Sequence, residues 1–166
     1  SDDVEARALS YLRSRSAGPL ASDFRKLPSP PKSFEPRFSA SSVPMEELLG
    51  QIRRRQLSRK ATRLLFDGPP GGGKTQGALY LAREAGLEAA VYRPSDLLSP
   101  FVGVAEKNIA RMFREAEERG TLLVLDEADA LLTDRANAQR SWELTQAAEF
   151  LQGLQEFGGT LIACTN

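Results

Sequence analysis

The chain has 166 residues, 41% hydrophobic and 27% charged, the proportions of an ordinary globular domain with an appendage; a wholly disordered chain, a collagen-like repeat and a disulfide scaffold are excluded. Lys plus Arg and Asp plus Glu number 22 each, so net charge gives no pull toward nucleic acid or an anionic membrane, and no apolar run approaches the roughly 18 residues of a spanning helix. Histidine is absent and Cys164 is the single cysteine, which excludes His-based triads, His metal sites and an internal disulfide. A lone thiol fits a reducing compartment, and a cytoplasmic location is expected. The chain opens on Ser1 rather than Met and reads as a fragment or a processed product.

Val4, Ala8, Tyr11 and Leu12 recur at helical spacing, so residues 1–17 are expected to form a short amphipathic helix, the end of an upstream domain, stopped at Gly18-Pro19. Residues 18–44 hold six of the ten prolines and many serines, the composition of a linker or an extended arm. Phe24, Phe34 and Phe38 favour an arm lying on the body, because free linkers are poor in aromatics. Residues 45–166 form the body. Met45, Leu48, Leu49 and Ile52 mark a helix with Glu46 and Glu47 in its first turn, where the helix dipole favours acids. Arg63 to Asp67 reads as a short buried strand, Thr75 to Ala85 as a helix and Ala89 to Tyr92 as a second strand. Glu106 to Arg119 is a helix with Ile109, Met112, Phe113 and Ala116 on one face. Thr121 to Leu125 is a third strand; Leu144, Ala147, Ala148, Leu151 and Leu154 stripe a helix; Gly159 to Thr165 is a fourth strand. Strands alternating with helices predict a three-layer α/β domain, a parallel sheet with helices on both faces.

The first strand runs into Gly68-Pro69-Pro70-Gly71-Gly72-Gly73-Lys74-Thr75, the P-loop pattern G-x-x-x-x-G-K-[ST] between a strand and a helix. Glycines let consecutive backbone N–H groups surround a phosphate, and the following helix offers it a positive N-terminus. Lys74 reaches β and γ oxygens and the Thr75 hydroxyl serves Mg²⁺. The plainer alternative is a glycine-rich turn ahead of Lys-Thr. Gly68 to Thr75, with Gln76 next to them, are the candidate ligands of a nucleoside triphosphate, ATP or GTP.

The third strand ends Leu125-Asp126-Glu127-Ala128-Asp129, which sets carboxylates at the carboxyl edge of a parallel sheet beside the cradle. Asp126 is a candidate Mg²⁺ ligand and Glu127 a candidate base for the attacking water. For Asp129, the cap and first-turn charge of the next helix is an equal alternative.

At this point the residues resemble the AAA branch of the AAA+ ATPases. Gly68-Pro69-Pro70-Gly71 with Gly73-Lys74-Thr75 looks like the family's Walker A, and Leu125 to Asp129 like its Walker B. Leu97 to Phe113 is similar to the pore-loop segment and its helix, and Ile162 to Asn166 to the strand ending in the sensor-1 asparagine. The resemblance implies a P-loop NTPase large subdomain in which Lys74, Glu127 and Asn166 are catalytic, with Asn166 orienting water and sensing the γ-phosphate. It implies that Phe101, Val102 and Gly103 grip an extended polypeptide in the pore of a homo-oligomeric ring; for Phe101 the alternative is a core cap. Arg135 stands where many members carry a basic residue near a subunit boundary. The chain departs from the family pattern at Gly72, usually a β-branched threonine that stiffens the loop, and at Pro100, often a basic residue. The family strand order 5-1-4-3-2, its arginine fingers and its helical lid extend past Asn166, so the isolated chain is expected to bind nucleotide weakly and turn it over slowly.

The expected function is therefore Mg²⁺-dependent ATP hydrolysis driving protein remodelling. One alternative is a nucleotide-controlled scaffold or loader. The other is a DEAD-box-like helicase, from the letters of residues 126–129, although about 50 residues between Lys74 and Asp126 leave little room for RNA-binding motifs. The cluster Arg53, Arg54, Arg55, Arg59 and Lys60 is expected to be a solvated helix end rather than a nucleic-acid site. Trp142 is expected beside the core, and Cys164 in it as an inert small hydrophobe.

Overall fold

A computed structural model describes residues 42–101, 103–132 and 141–166. The helix expected over residues 1–17, nearly all of the proline-rich arm, Val102, Arg135 and the packing of Trp142 lie outside the described residues.

The order of elements is α1 (Met45–Leu57), β1 (Thr62–Asp67), α2 (Lys74–Glu84), β2 (Ala89–Tyr92), α3 (Pro94–Leu97), α4 (Val104–Arg119), β3 (Leu122–Leu125), α5 (Asp129–Leu132), α6 (Ser141–Glu156) and β4 (Thr160–Thr165). The strands form one parallel sheet in the order β1-β4-β3-β2. Side chains alternate across a strand, and the sheet divides its apolar residues accordingly. Ala90, Tyr92, Leu123, Leu125 and Leu161 face α4 and α6. Leu122, Val124, Ile162 and Cys164 face α1 and α2 and pack with Ile52, Ala78 and Leu81. The three-layer α/β expectation holds. All four residues of β3 are buried, as a central strand covered on both faces requires.

Two expectations are corrected. Arg63 to Asp67 forms a strand, but not a wholly buried one: among the described residues β1 pairs with β4 alone, and Arg63, Leu65 and Asp67 are exposed, Leu65 at 64%. An apolar run of three residues does not show which of them is exposed. The stripe on α6 is borne out only in part. Gln146 and Phe150 are buried at 4% and 2%, while Ala148 is exposed. Gly153 lies on the buried side, where a Cβ would come within 2.4 Å of the Phe113 ring. Leu151 and Leu154 of the expected stripe do pack against the core; a buried amide and a glycine carry no hydrophobic signal, so the periodicity showed only part of the buried face.

Helix ends are held by arginines. Arg63 donates to the carbonyls of Leu154, Gln155 and Phe157 at the C-terminal end of α6, a helix without a basic residue in its own last turn. Arg53 donates to Glu84 O and Arg55 to Ala61 O, so part of the basic cluster satisfies orphan backbone carbonyls.

Candidate functional site

At the carboxyl edge of the sheet, β1 ends in Asp67, whose Oδ1 accepts a hydrogen bond from Thr165 Oγ1 at 3.2 Å. The tips of β1 and β4 are thereby tied together. The chain then turns through Gly68 to Gly73 and enters α2. Gly71 and Gly73 have φ of 77° and 75°, the left-handed region that side chains disfavour by about 1–2 kcal/mol. Gly73 stands directly before α2, so one left-handed residue carries the chain from loop to helix. Gly72 N–H donates to Pro69 O at 3.2 Å, and a Cβ on Gly72 would lie 3.1 Å from that oxygen; the glycine permits this closure. The helix N-terminus, with its partial positive charge, opens onto the loop.

Lys74, the first residue of α2, directs its ammonium to three acceptors: Gly68 O at 2.5 Å, Pro69 O at 2.8 Å and Asn166 Oδ1 at 2.8 Å. An ammonium has three donors, and all are used. Thr75 Oγ1 donates to Asp126 Oδ1 at 3.1 Å. The loop, the tip of β3 and the end of β4 therefore meet in one place. Gln76, in the first turn of α2, carries a buried Oε1 without a hydrogen-bond partner.

The acidic turn follows β3. Asp126 N–H donates to Tyr92 O at 2.9 Å and Ala128 N–H to Cys164 O at 2.9 Å, so the turn is clamped between β2 and β4. Glu127 between them is exposed, with φ of 57°, an uncommon backbone state for a residue with a side chain. Asp129 begins the short helix α5. Cys164 is fully buried beneath the site; burial first, and the Asp126 charge second, push its thiol up to about 12. Burial pushes the Tyr92 phenol up to about 12 as well, aided by Glu115.

Arg93, just past the tip of β2, lies with Nε 3.7 Å from Asp126 Oδ2. Sequence reading did not single it out. The available signal was its position, since strand tips at the carboxyl edge of a parallel sheet converge on the site. Phe101 and Gly103 lie between α3 and α4, with Phe101 41% exposed and Gly103 in the left-handed conformation that starts α4.

The family model of the AAA proteins, the ATPase family associated with various cellular activities, matches residues 64–166. The chain is 41% identical over 100 residues to the ATPase family gene 2 protein homolog B of Rattus norvegicus, covering 58% of this chain and 13% of that protein. It is 34% identical over 120 residues to an uncharacterized AAA family ATPase, y4kL, of Sinorhizobium fredii, covering 70% of this chain and 36% of that protein. The chain thus spans a minor part of the length of these relatives. In fold it is similar to the crystal structure of the FIGL-1 AAA domain in complex with ADP, with a TM-score of 0.60 and 23% identity over 77% of this chain and 47% of that one. The match of the family model from β1 to Asn166, over the same parallel sheet and loop, makes this chain a member of the AAA ATPase family, whose general activity is the binding and hydrolysis of ATP.

Proposed function

We propose that residues 68–76, 126, 127 and 166 form one Mg²⁺-dependent ATP hydrolysis site, and that the protein of which they are part uses it to remodel a protein substrate. The observation that carries this is that two consecutive residues at a helix N-terminus reach two strand tips, Lys74 hydrogen-bonding Asn166 and Thr75 hydrogen-bonding Asp126.

The loop's backbone N–H groups and the start of α2 receive phosphate oxygens. Lys74 exchanges its carbonyl partners for β and γ oxygens. Thr75 Oγ1 and Asp126 Oδ1 are hard oxygen donors 3.1 Å apart, a donor set that fits Mg²⁺. When bound, the ion supplies charge neutralisation at the phosphates. Glu127, exposed beside the turn, takes a proton from the attacking water, and Asn166 orients that water.

The exposed Phe101 supports a role in gripping an extended polypeptide, with hydrolysis distributed over a homo-oligomeric ring. No helix among the described residues is long and apolar enough to cross a membrane. The balanced charge and the carbonyl-bound Arg53 and Arg55 favour protein over nucleic acid as the substrate. The deciding experiment is Glu127→Gln. It is expected to retain bound ATP and stop turnover, measured as nucleotide co-eluting with the protein and as phosphate release. Phosphate release by the variant at the wild-type rate would contradict the role given to Glu127, and nucleotide binding without phosphate release in the wild type would favour a scaffold whose nucleotide controls assembly.

A further inference from the structure

The buried face of α6 carries an amide. Gln146 is 4% exposed, and its Nε2 donates to the carbonyl of Ser99 at 3.0 Å. Ser99 is itself 4% exposed, and its Oγ accepts the Phe101 N–H at 3.2 Å. Asn108, on α4, donates to Leu97 O at 3.3 Å. The segment that presents Phe101 is thus held through its backbone by side chains of two helices. A buried amide without a partner costs about 1–3 kcal/mol, so Gln146 favours the one loop position in which Ser99 O meets it.

The other end of α6 is fixed to the cradle strand. Arg63 of β1 binds the carbonyls of Leu154, Gln155 and Phe157, and β1 runs directly into Gly68. From residue 146 to residue 154 a helix rises about 12 Å. The same helix leads through Phe157 into β4 and Asn166. A rigid helix is therefore pinned at one end to the amino end of β1, the strand that leads into the nucleotide loop, and at the other to the Phe101 segment.

We infer that Gln146 is a positioning residue that couples the state of the nucleotide site to the Phe101 segment through α6. The inference rests on the nucleotide-binding reading above and adds a route by which binding is felt at Phe101. Nothing in the coupling requires Gln146 to touch nucleotide. Its removal spares affinity and disconnects the two places, which a purely structural residue would not do.

The test compares backbone hydrogen exchange in residues 97–101 with and without saturating Mg²⁺ and ATPγS, for the wild-type chain, Gln146→Met and Gln146→Glu. Both variants keep the side-chain length and lose the donor; urea denaturation checks that each is folded, and calorimetry gives the ATPγS affinity of the same samples. The expected result is a nucleotide-dependent change of about fivefold or more in the wild type, the low end of ordinary coupling. That change disappears in both variants while affinity is kept. Persistence of the change in either folded variant, or a wild-type segment indifferent to bound nucleotide, overturns the inference. Absence of any calorimetric binding in the wild type overturns the underlying reading as well, and is distinguished by the missing heat.

Discussion

Lys74 Nζ lies 2.8 Å from Asn166 Oδ1, joining the first residue of α2 to the residue that follows β4. The pairing matches an ammonium with a neutral acceptor that phosphate oxygens, being charged, outcompete. An Asn166→Asp substitution replaces that acceptor by a carboxylate. It is expected to hold Lys74 more firmly and to weaken ATPγS binding on the order of tenfold, about one charge-assisted hydrogen bond. Asn166→Ala is expected to leave affinity within a few fold, and calorimetry on the two variants separates the charge effect from loss of the side chain.

Gly153 tests the packing of α6 on α4. In an exposed helix, Gly→Ala gains about 1 kcal/mol. Here the new Cβ would sit 2.4 Å from a Phe113 ring carbon, and that ring is hemmed in by Phe150 and Phe157 at centroid distances of 5.9 and 5.5 Å. Overpacking of this kind costs about 1–3 kcal/mol, so Gly153→Ala is expected to lower the urea midpoint. The double variant Gly153→Ala, Phe113→Leu is expected to recover part of the loss, because the smaller side chain admits the methyl.

Stability is expected to fall in alkaline solution through Cys164 and Tyr92. Their ordinary values of 9.0 and 10.0 are both pushed up to about 12 in the folded chain, by burial first. The unfolded chain therefore releases these protons at lower pH than the folded one. The stabilisation is complete below about pH 9 and is lost as pH rises toward 12. Urea midpoints between pH 8 and pH 11 measure it, and Cys164→Ala is expected to flatten the early part of the decline. The same burial predicts that maleimide labels Cys164 only as fast as the chain opens.

Much of this was legible in the sequence, for identifiable reasons. The glycines at 71 and 73 announced a left-handed loop, and the acid following a wholly apolar β3 announced a strand tip. Both signals are local. The exposure within β1 was hidden because Leu64, Leu65 and Phe66 read alike, though only Leu65 turns outward. The core face of α6 was legible through Leu151 and Leu154 and incomplete because Gln146 and Gly153 share it. Arg93 was missed because its importance lies in its approach to Asp126 from the tip of the neighbouring strand β2, whose sequence is unremarkable. Pairings between distant segments, such as Arg63 with the end of α6, leave no periodicity to read.

The central claim is that Lys74, Thr75 and Asp126 face one triphosphate, and Lys74→Ala tests it most directly. Calorimetric titration with ATPγS in excess Mg²⁺ is expected to give a single site in the wild-type chain, with affinity reduced about 10- to 100-fold in the variant, the range of a lost charged hydrogen bond. Equal affinity in the two folded proteins would place the nucleotide elsewhere and contradict the account.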